Sequence, residues 1–323
     1  MQALGIFAGR KILRAVATLW GAATVTFLLL RLLPGDPTLA VANTDFMTEA
    51  ARNELRAEYG LDDPLVVQYG KYLWQLAHGN LGMSFSQRVP VTDVLMDRLP
   101  WTLLLAGLAL LLTICIGIPL GVLAATHPRT FGDRGVQVLG VAGQSLFVPS
   151  MGIFLLYVFG LALGWFPIGG AYALNTYGGE WYVSVARHVV LPCISLALIS
   201  LGSYVLVMRS TLVEALGGEY CELAKAKGLP NRKVVWKHAL RNALLPTTTL
   251  LGLQLGHLAG GAVLTETVFA YPGVGRAIFE AVTQLDFPVL QGGILFIGTV
   301  VLLVNLAVDL SYFTADPRVR SRT

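Results

Sequence analysis

Charge is scarce in this sequence: Asp, Glu, Lys and Arg make up 13% of its 323 residues, about half the share carried by a soluble domain. So few charges cannot cover a water-facing globule, and with 55% hydrophobic residues the balance excludes an ordinary soluble enzyme. Cysteine is scarcer still. Cys115, Cys193 and Cys221 offer neither a disulfide framework nor CxxC metal spacing, and read as small apolar packing residues. No GxxxxGK(S/T) phosphate loop occurs in the sequence, so any ATP chemistry of that type belongs to another chain. Short strands of alternating polarity are missing too, which argues against a membrane barrel.

What is present is apolar length. Six runs approach or exceed the ~20 residues that cross a hydrocarbon core as helix: Ile12–Leu33, Trp101–Ala125, Val136–Gly164, His188–Val213, Thr247–Phe269 and Val289–Phe313. In lipid each must satisfy its own backbone hydrogen bonds, and uninterrupted runs do so as helices. The expected class is an all-α integral membrane protein of six transmembrane helices. The first run follows Arg10, Lys11 and Arg14, and "AVA" at Ala40–Ala42 mimics a cleavage site. The run is too long for a signal-peptide core and "PGDP" separates it from that site, so it reads as an uncleaved anchor.

Basic residues then orient the bundle. The segments before the first run, between the second and third, between the fourth and fifth, and after the last carry 14 Lys or Arg. On the opposite side Trp165–Ala186 has none and Ala270–Pro288 has only Arg276, with Arg187 at the boundary. The positive-inside bias places both termini in the cytoplasm. The external segment Pro34–Pro100 is acidic, with nine Asp or Glu against five Lys or Arg. Within it Met47–Gly60 has the composition of a surface helix. Val66–Gly79 sets Tyr69, Tyr72, Leu73 and Leu76 on one amphipathic face. After the fifth run, a turn at Pro272-Gly273 precedes a second amphipathic helix on the outer side.

The largest basic island, "ELAKAKGLPNRKVVWKHALRNALLP" (Glu222–Pro246), holds six Lys or Arg. Tyr220–Lys227 predicts a short helix stopped by Gly228 with Pro230 beyond, and Asn231 is placed to cap a second helix. There Lys233, Lys237 and Arg241 form a basic stripe; Trp236, Leu240 and Ala243 or Leu244 form an apolar one. A plain headgroup anchor accounts for the charge. It needs neither a glycine corner nor Glu222 among the lysines, and a stiff two-helix knob suits docking to a protein.

The knob resembles the coupling loop of ABC-importer permeases, whose pattern is Glu-Ala-Ala, three residues, Gly, and later Leu-Pro. This chain has Glu222-Leu223-Ala224, three residues, Gly228, then Leu245-Pro246, with Leu223 in place of the middle alanine. The long Gly-to-Pro separation, with "LLPGDP", "YGLDDPLVVQY", "LGMSFSQRVPV", "LTETVFAYPGVG" and "NLAVDLSYFTADPRVR", is similar to the dipeptide/oligopeptide/nickel branch across essentially the whole chain. The resemblance implies an ABC type I importer permease fold in a bacterial cytoplasmic (inner) membrane. It divides the chain into a first helix plus external segment, 1–99, and a five-helix permease core, 100–323, with the coupling loop at 214–246. It implies no active site and no cofactor bound by this chain. ATP and Mg would sit on two cytoplasmic ATPases, and a second permease and an extracytoplasmic solute-binding protein would complete the system. Glu222, Ala224, Lys225, Lys227, Gly228 and Leu229 would form the coupling element. Di- or oligopeptides are the expected substrates, with nickel, a nickel chelate or glutathione as alternatives.

Inside the membrane, Gly252, Gly256 and Gly260 form a small-residue stripe for close helix packing. Gln144, Gln254, His257 and Asn305 are the polar candidates for lining a pathway; each also suits a structural hydrogen bond. His257 alone falls short of a metal site. Arg209 and Asp309 lie at similar depth, placed to pair or to snorkel, and Pro119, Pro149 and Pro192 can kink their spans. An ion-coupled secondary transporter would show internal repeats and a midplane carboxylate, which the sequence does not display. An intramembrane serine protease would rest on "GQSL" (Gly143–Leu146), which lacks a small residue after the serine.

Overall fold

A computed structural model describes residues 2–32, 63–244, 247 and 262–315. Among these the chain is helical, with a single isolated β-bridge between Met83 and Pro90. The helices are α1 (Gln2–Leu32), α2 (Leu65–Ala77), α3 (Val91–Thr126), α4 (Phe131–Ser145) and α5 (Val148–Leu155). They continue with α6 (Gly179–Leu216), α7 (Glu219–Ala226), α8 (Asn231–Lys233), α9 (Val274–Thr283) and α10 (Phe287–Ala315). Wider π-helical turns extend α5 over Leu156–Ala162 and α8 over Val234–Ala239.

Four described helices are long and apolar enough to cross a membrane: those containing Lys11–Leu29, Val91–Thr126, Gly179–Leu216 and Phe287–Ala307. The predicted third span is not one rod. Its halves, Phe131–Ser145 and Val148–Ala162, meet at 105°. The interruption falls at Leu146-Phe147, between the polar pair Gln144-Ser145 and Pro149, which occupies the first turn of α5, a place proline favours. Pro119 and Pro192, in contrast, lie inside the continuous α3 and α6. Most of the predicted fifth span (Thr247–Phe269) lies outside the described residues, as does the Met47–Gly60 helix.

Contacts group the chain into two compact units, Met1–Pro100 with Gly273–Thr323, and Trp101–Pro272. In the first, α2 forms the amphipathic helix expected at Val66–Gly79, with Tyr69, Tyr72, Leu73 and Leu76 half-buried. Its aromatic face meets α1: Phe27 stacks on Tyr72 at 5.6 Å between ring centroids, and the Thr24 and Tyr69 hydroxyls lie 2.7 Å apart. The predicted outer helix after Pro272-Gly273 is α9. It buries Val274, Ala277 and Ala281 with Val91, Leu95 and Val289. Buried Asp286 then ties this region to the loop before α3, accepting from the Ser84 hydroxyl (2.6 Å), the Ser86 hydroxyl (2.8 Å) and the Ser86 N–H (3.0 Å).

In the second unit α4 and α6 pack most closely. A β-carbon on Gly202 would fall 2.4 Å from the Gly140 carbonyl oxygen and 3.1 Å from the Gln144 nitrogen, so two backbones touch where side chains normally intervene. Seven residues away on each helix, Arg209 meets Asp133, its Nη2 donating to Oδ2 at 2.8 Å while Nε donates to Oδ1. Among the described residues the partner of Arg209 is Asp133, in the first turn of α4, reached through the antiparallel packing of α4 on α6; the side chain of Asp309 lies outside the described residues. Where α4 stops, Ser145 donates to the Val141 carbonyl at 3.1 Å, and Gln144 is exposed.

Because backbone cannot give way as a side-chain tip can, Gly202→Ala is expected to cost about 1–3 kcal/mol. It should lower the thermal unfolding midpoint of the purified protein in detergent. Gly135→Ala, where a β-carbon meets nothing within 4 Å, should leave that midpoint unchanged or raise it.

Candidate functional site

The basic island folds as a knob built on the end of α6. That helix stops at Leu216. Gly217 donates to the Val213 and Glu214 carbonyls, and Gly218, in extended conformation, opens α7. Glu219 and Glu222 lie in the first turn of α7 and Lys225 in its last, each sign at the helix end that favours it.

The corner after α7 has the hydrogen bonding of a Schellman motif. Leu229 N–H donates to the Ala224 carbonyl at 3.2 Å and Gly228 N–H to the Lys225 carbonyl at 2.9 Å. Gly228 sits between them at φ +77°, a left-handed conformation that costs a residue with a side chain roughly 1–2 kcal/mol. A β-carbon there would meet nothing within 4 Å. The glycine is thus required by the turn and not by crowding.

The expected cap of the second helix falls one residue earlier than the sequence suggested. Pro230, at φ −64° and ψ 144°, takes the N-cap position and its carbonyl accepts from Lys233 (2.8 Å) and Val234 (3.2 Å). Asn231 is the first helical residue and makes no side-chain cap. Proline suits this place because its fixed φ leads into the helix and its carbonyl takes the first-turn donors.

Beneath the knob lies a single apolar core. Cys221 and Ala224 of α7, with Val234, Ala239, Leu240 and Ala243 beyond the corner, pack with Met208, Leu212 and Ala215 of α6 and with Val122 and Ala125 of α3. Leu229 of the corner packs against the same core. Ala224 of the proposed coupling set is therefore an anchor, and burial pushes the neighbouring Cys221 thiol above its ordinary pKa. Glu222, Lys225, Lys227 and Gly228 are exposed and Leu229 half-buried. Leu223, which replaces the motif's alanine, is 58% exposed and Trp236 53%. Of the predicted apolar stripe, Leu240 and Ala243 turn into the core while Trp236 stays outside. Lys233, Lys237 and Arg241 are all exposed. The knob thus exposes two large apolar side chains, Leu223 and Trp236, along with its basic ones.

Two of the four polar membrane candidates fall within the described residues. Gln144 is exposed at the end of α4, and Asn305 of α10 is half-buried with its Oδ1 shielded and lacking a hydrogen-bond partner. Gln254 and His257 lie outside the described residues, as do Gly252, Gly256 and Gly260. The close packing that is seen runs through Gly140, Gly143 and Gly202, which sequence reasoning passed over. Their signal was available: Gly140 and Gly202 stand seven residues from Asp133 and Arg209 in turn.

Two family descriptions match this arrangement. Residues 117–321 match the binding-protein-dependent transport system inner membrane component, and residues 5–106 match the N-terminal part of such a membrane component. The chain belongs to this permease family. It is therefore an inner-membrane permease with the type I ABC importer fold and not an enzyme, ATP hydrolysis being on separate subunits. Among its relatives, the dipeptide transport system permease protein DppB of Escherichia coli (strain K12) is 35% identical over 97% of this chain and 98% of that protein. The di/tripeptide transport system permease protein DppB of Pseudomonas aeruginosa (strain UCBPP-PA14) is 37% identical, over 97% and 98%.

The buried core makes one outcome definite. In the native permease Cys221 is expected to resist maleimide labelling, and to react fully once the protein is unfolded in denaturant, as read by mass spectrometry. Rapid labelling of native Cys221 would show that the knob is not seated as described.

Proposed function

We propose that this permease forms, with a second homologous permease, the pathway of an ATP-driven importer for di- or oligopeptides. Two cytoplasmic ATPases, binding ATP and Mg, would drive it, and an extracytoplasmic solute-binding protein would deliver the substrate. The substrate class is taken from relatives named for dipeptides and for di- and tripeptides at 35% and 37% identity over nearly the full chain. The observation that carries the coupling role is the knob, a glycine-cornered helix pair standing on a core shared with α3 and α6. A floppy loop would absorb a push, whereas this one passes it on.

In this reading Glu222, Lys225, Lys227 and Leu229 meet the ATPase, Gly228 sets the corner and Ala224 anchors the coupling helix. Leu223 would enter an apolar groove, and Lys233, Lys237 and Arg241 would face an acidic rim. The loop is 214–246 within a core of 100–323, and residues 1–99 add the branch-specific first helix and external segment. That segment and α9, joined through Asp286, would form the landing surface for the binding protein. Gln144, Gln254, His257 and Asn305 remain the proposed pathway residues, and Gly252, Gly256 and Gly260 a proposed packing stripe.

Gentle extraction of the tagged permease from its host should bring a second permease and ATPases with it; recovery of the chain alone would remove the docking reading. Leu223→Asp should reduce ATPase recovery about tenfold or more, since burying a leucine contributes about 1.5–3 kcal/mol, without altering the permease's own unfolding. Gly228→Val should cut substrate-stimulated ATP hydrolysis while Gly228→Asn, which tolerates left-handed backbone, retains most of it. Normal stimulation in the valine variant would refute the corner's role. In liposomes carrying the full system, unlabelled dipeptides should compete with labelled dialanine, and nickel should not.

A further inference from the structure

The knob's core reaches α3 and α6 but not α4, yet α4 is the half of the broken span nearest the cytoplasmic side in the predicted topology. α4 packs along α6 through Gly140 against Leu206 and Gly202 and through Gly143 against Leu198 and Gly202. The polar tie between the two helices is the Asp133–Arg209 pair, seven residues from Gly140 and Gly202 on each helix and two turns nearer the knob. The pair is more fully built than a surface bridge. Asp133 is 2% exposed and also accepts from the Arg129 N–H at 2.9 Å and the Gln137 amide at 3.0 Å. Thr130 caps α4, accepting from the Asp133 N–H at 3.3 Å while its own hydroxyl donates to the His127 carbonyl at 2.7 Å. The same carboxylate thus holds Arg129 in its left-handed turn, φ +65°, and grips the guanidinium of α6 with both oxygens.

We propose that Asp133 and Arg209 are positioning residues for transport: their clamp locks α4 to α6, so that displacement of the knob is carried along α6 into the broken span. Without it the knob-side end of α4 would lose its polar tie to α6 and could slip when α6 moved with the knob, while the packing around Gly140, Gly143 and Gly202 stayed in place. The inference rests on the knob being the seat of the ATPase. Breaking the clamp should leave ATPases docked and hydrolysing, because no knob surface is altered, but should spend their ATP without substrate movement.

The test uses the assembled transporter in liposomes with its binding protein. Spin labels are placed on α4 at Gly135→Cys, where a side chain has open space, and on α6 at exposed Ser210→Cys, in a Cys115→Ser background. With the clamp intact the inter-label distance should be the same with and without nucleotide. In Arg209→Gln it should change with nucleotide, and dialanine imported per ATP should fall about fivefold or more, the lower range for a coupling between sites. Arg209→Lys, which keeps the charge, should recover much of that ratio. The ratio is taken per assembled complex, so a lower yield of folded protein does not move it. An intact-clamp distance that varies with nucleotide overturns the proposal even if Arg209→Gln fails to assemble, as does an unchanged ratio in an assembled Arg209→Gln complex. Failure of the unaltered chain to recover ATPases overturns the reading of the knob and this inference together. ATPases recovered and stimulated normally, with a nucleotide-variable distance, overturn the clamp alone.

Discussion

The knob stands on the apolar core where α3, α6, α7 and the chain beyond Gly228 meet, and the coupling role proposed for it requires a base that does not yield. Protein interiors are packed at crystal-like density and resist compression. Fully buried Met208, Leu212, Cys221 and Val234 therefore make the knob part of the bundle and not an appendage. The Schellman corner depends on this base, since Leu229 both closes the turn and packs on the core. The charged outer surface depends on it in turn, because basic side chains spread over a soft loop would have no fixed spacing to present.

The two units solve attachment differently. At the knob the seal is apolar. At the outer side, within the other unit, a buried carboxylate gathers the loop: Asp286 holds Ser84 and Ser86, while Glu280 bridges Arg98 and Arg276 at 2.9 and 2.7 Å. A buried carboxylate is tolerable when it is supplied with donors, and Asp286 has them.

Hydropathy made four spans and their order legible, because a ~20-residue apolar run has few other destinations. Period and glycine position located α2, α7, Gly228 and α9 to within a residue or two. The break in the third span escaped because a window of hydropathy averages over it; Gln144-Ser145 before Leu146 and Pro149-Ser150 after Val148 marked the place, but Pro119 and Pro192 sit inside unbroken helices. The Asp133 partner of Arg209 escaped because it lies 76 positions away. Asn231 misled since its cap preference is real, but Pro230 already held the geometry. The motif resemblance marked a stretch without separating anchor from surface: Ala224 is inside, and Leu223, the departure from the pattern, is outside.

The 105° break has a consequence for what surrounds it. A helix that ends leaves its last four carbonyls without intrahelical donors. In α4 these are the carbonyls of residues 142–145, of which the Leu146 N–H covers the one at Gly143 at 3.4 Å. Each half of the span has 15 residues (131–145 and 148–162), about 22 Å of helix at 1.5 Å per residue, so neither crosses the ~30 Å hydrocarbon alone. Carbonyls freed within hydrocarbon cannot face acyl chains. A span broken in this way inside a bilayer therefore needs water or another polypeptide, and not lipid, beside its break.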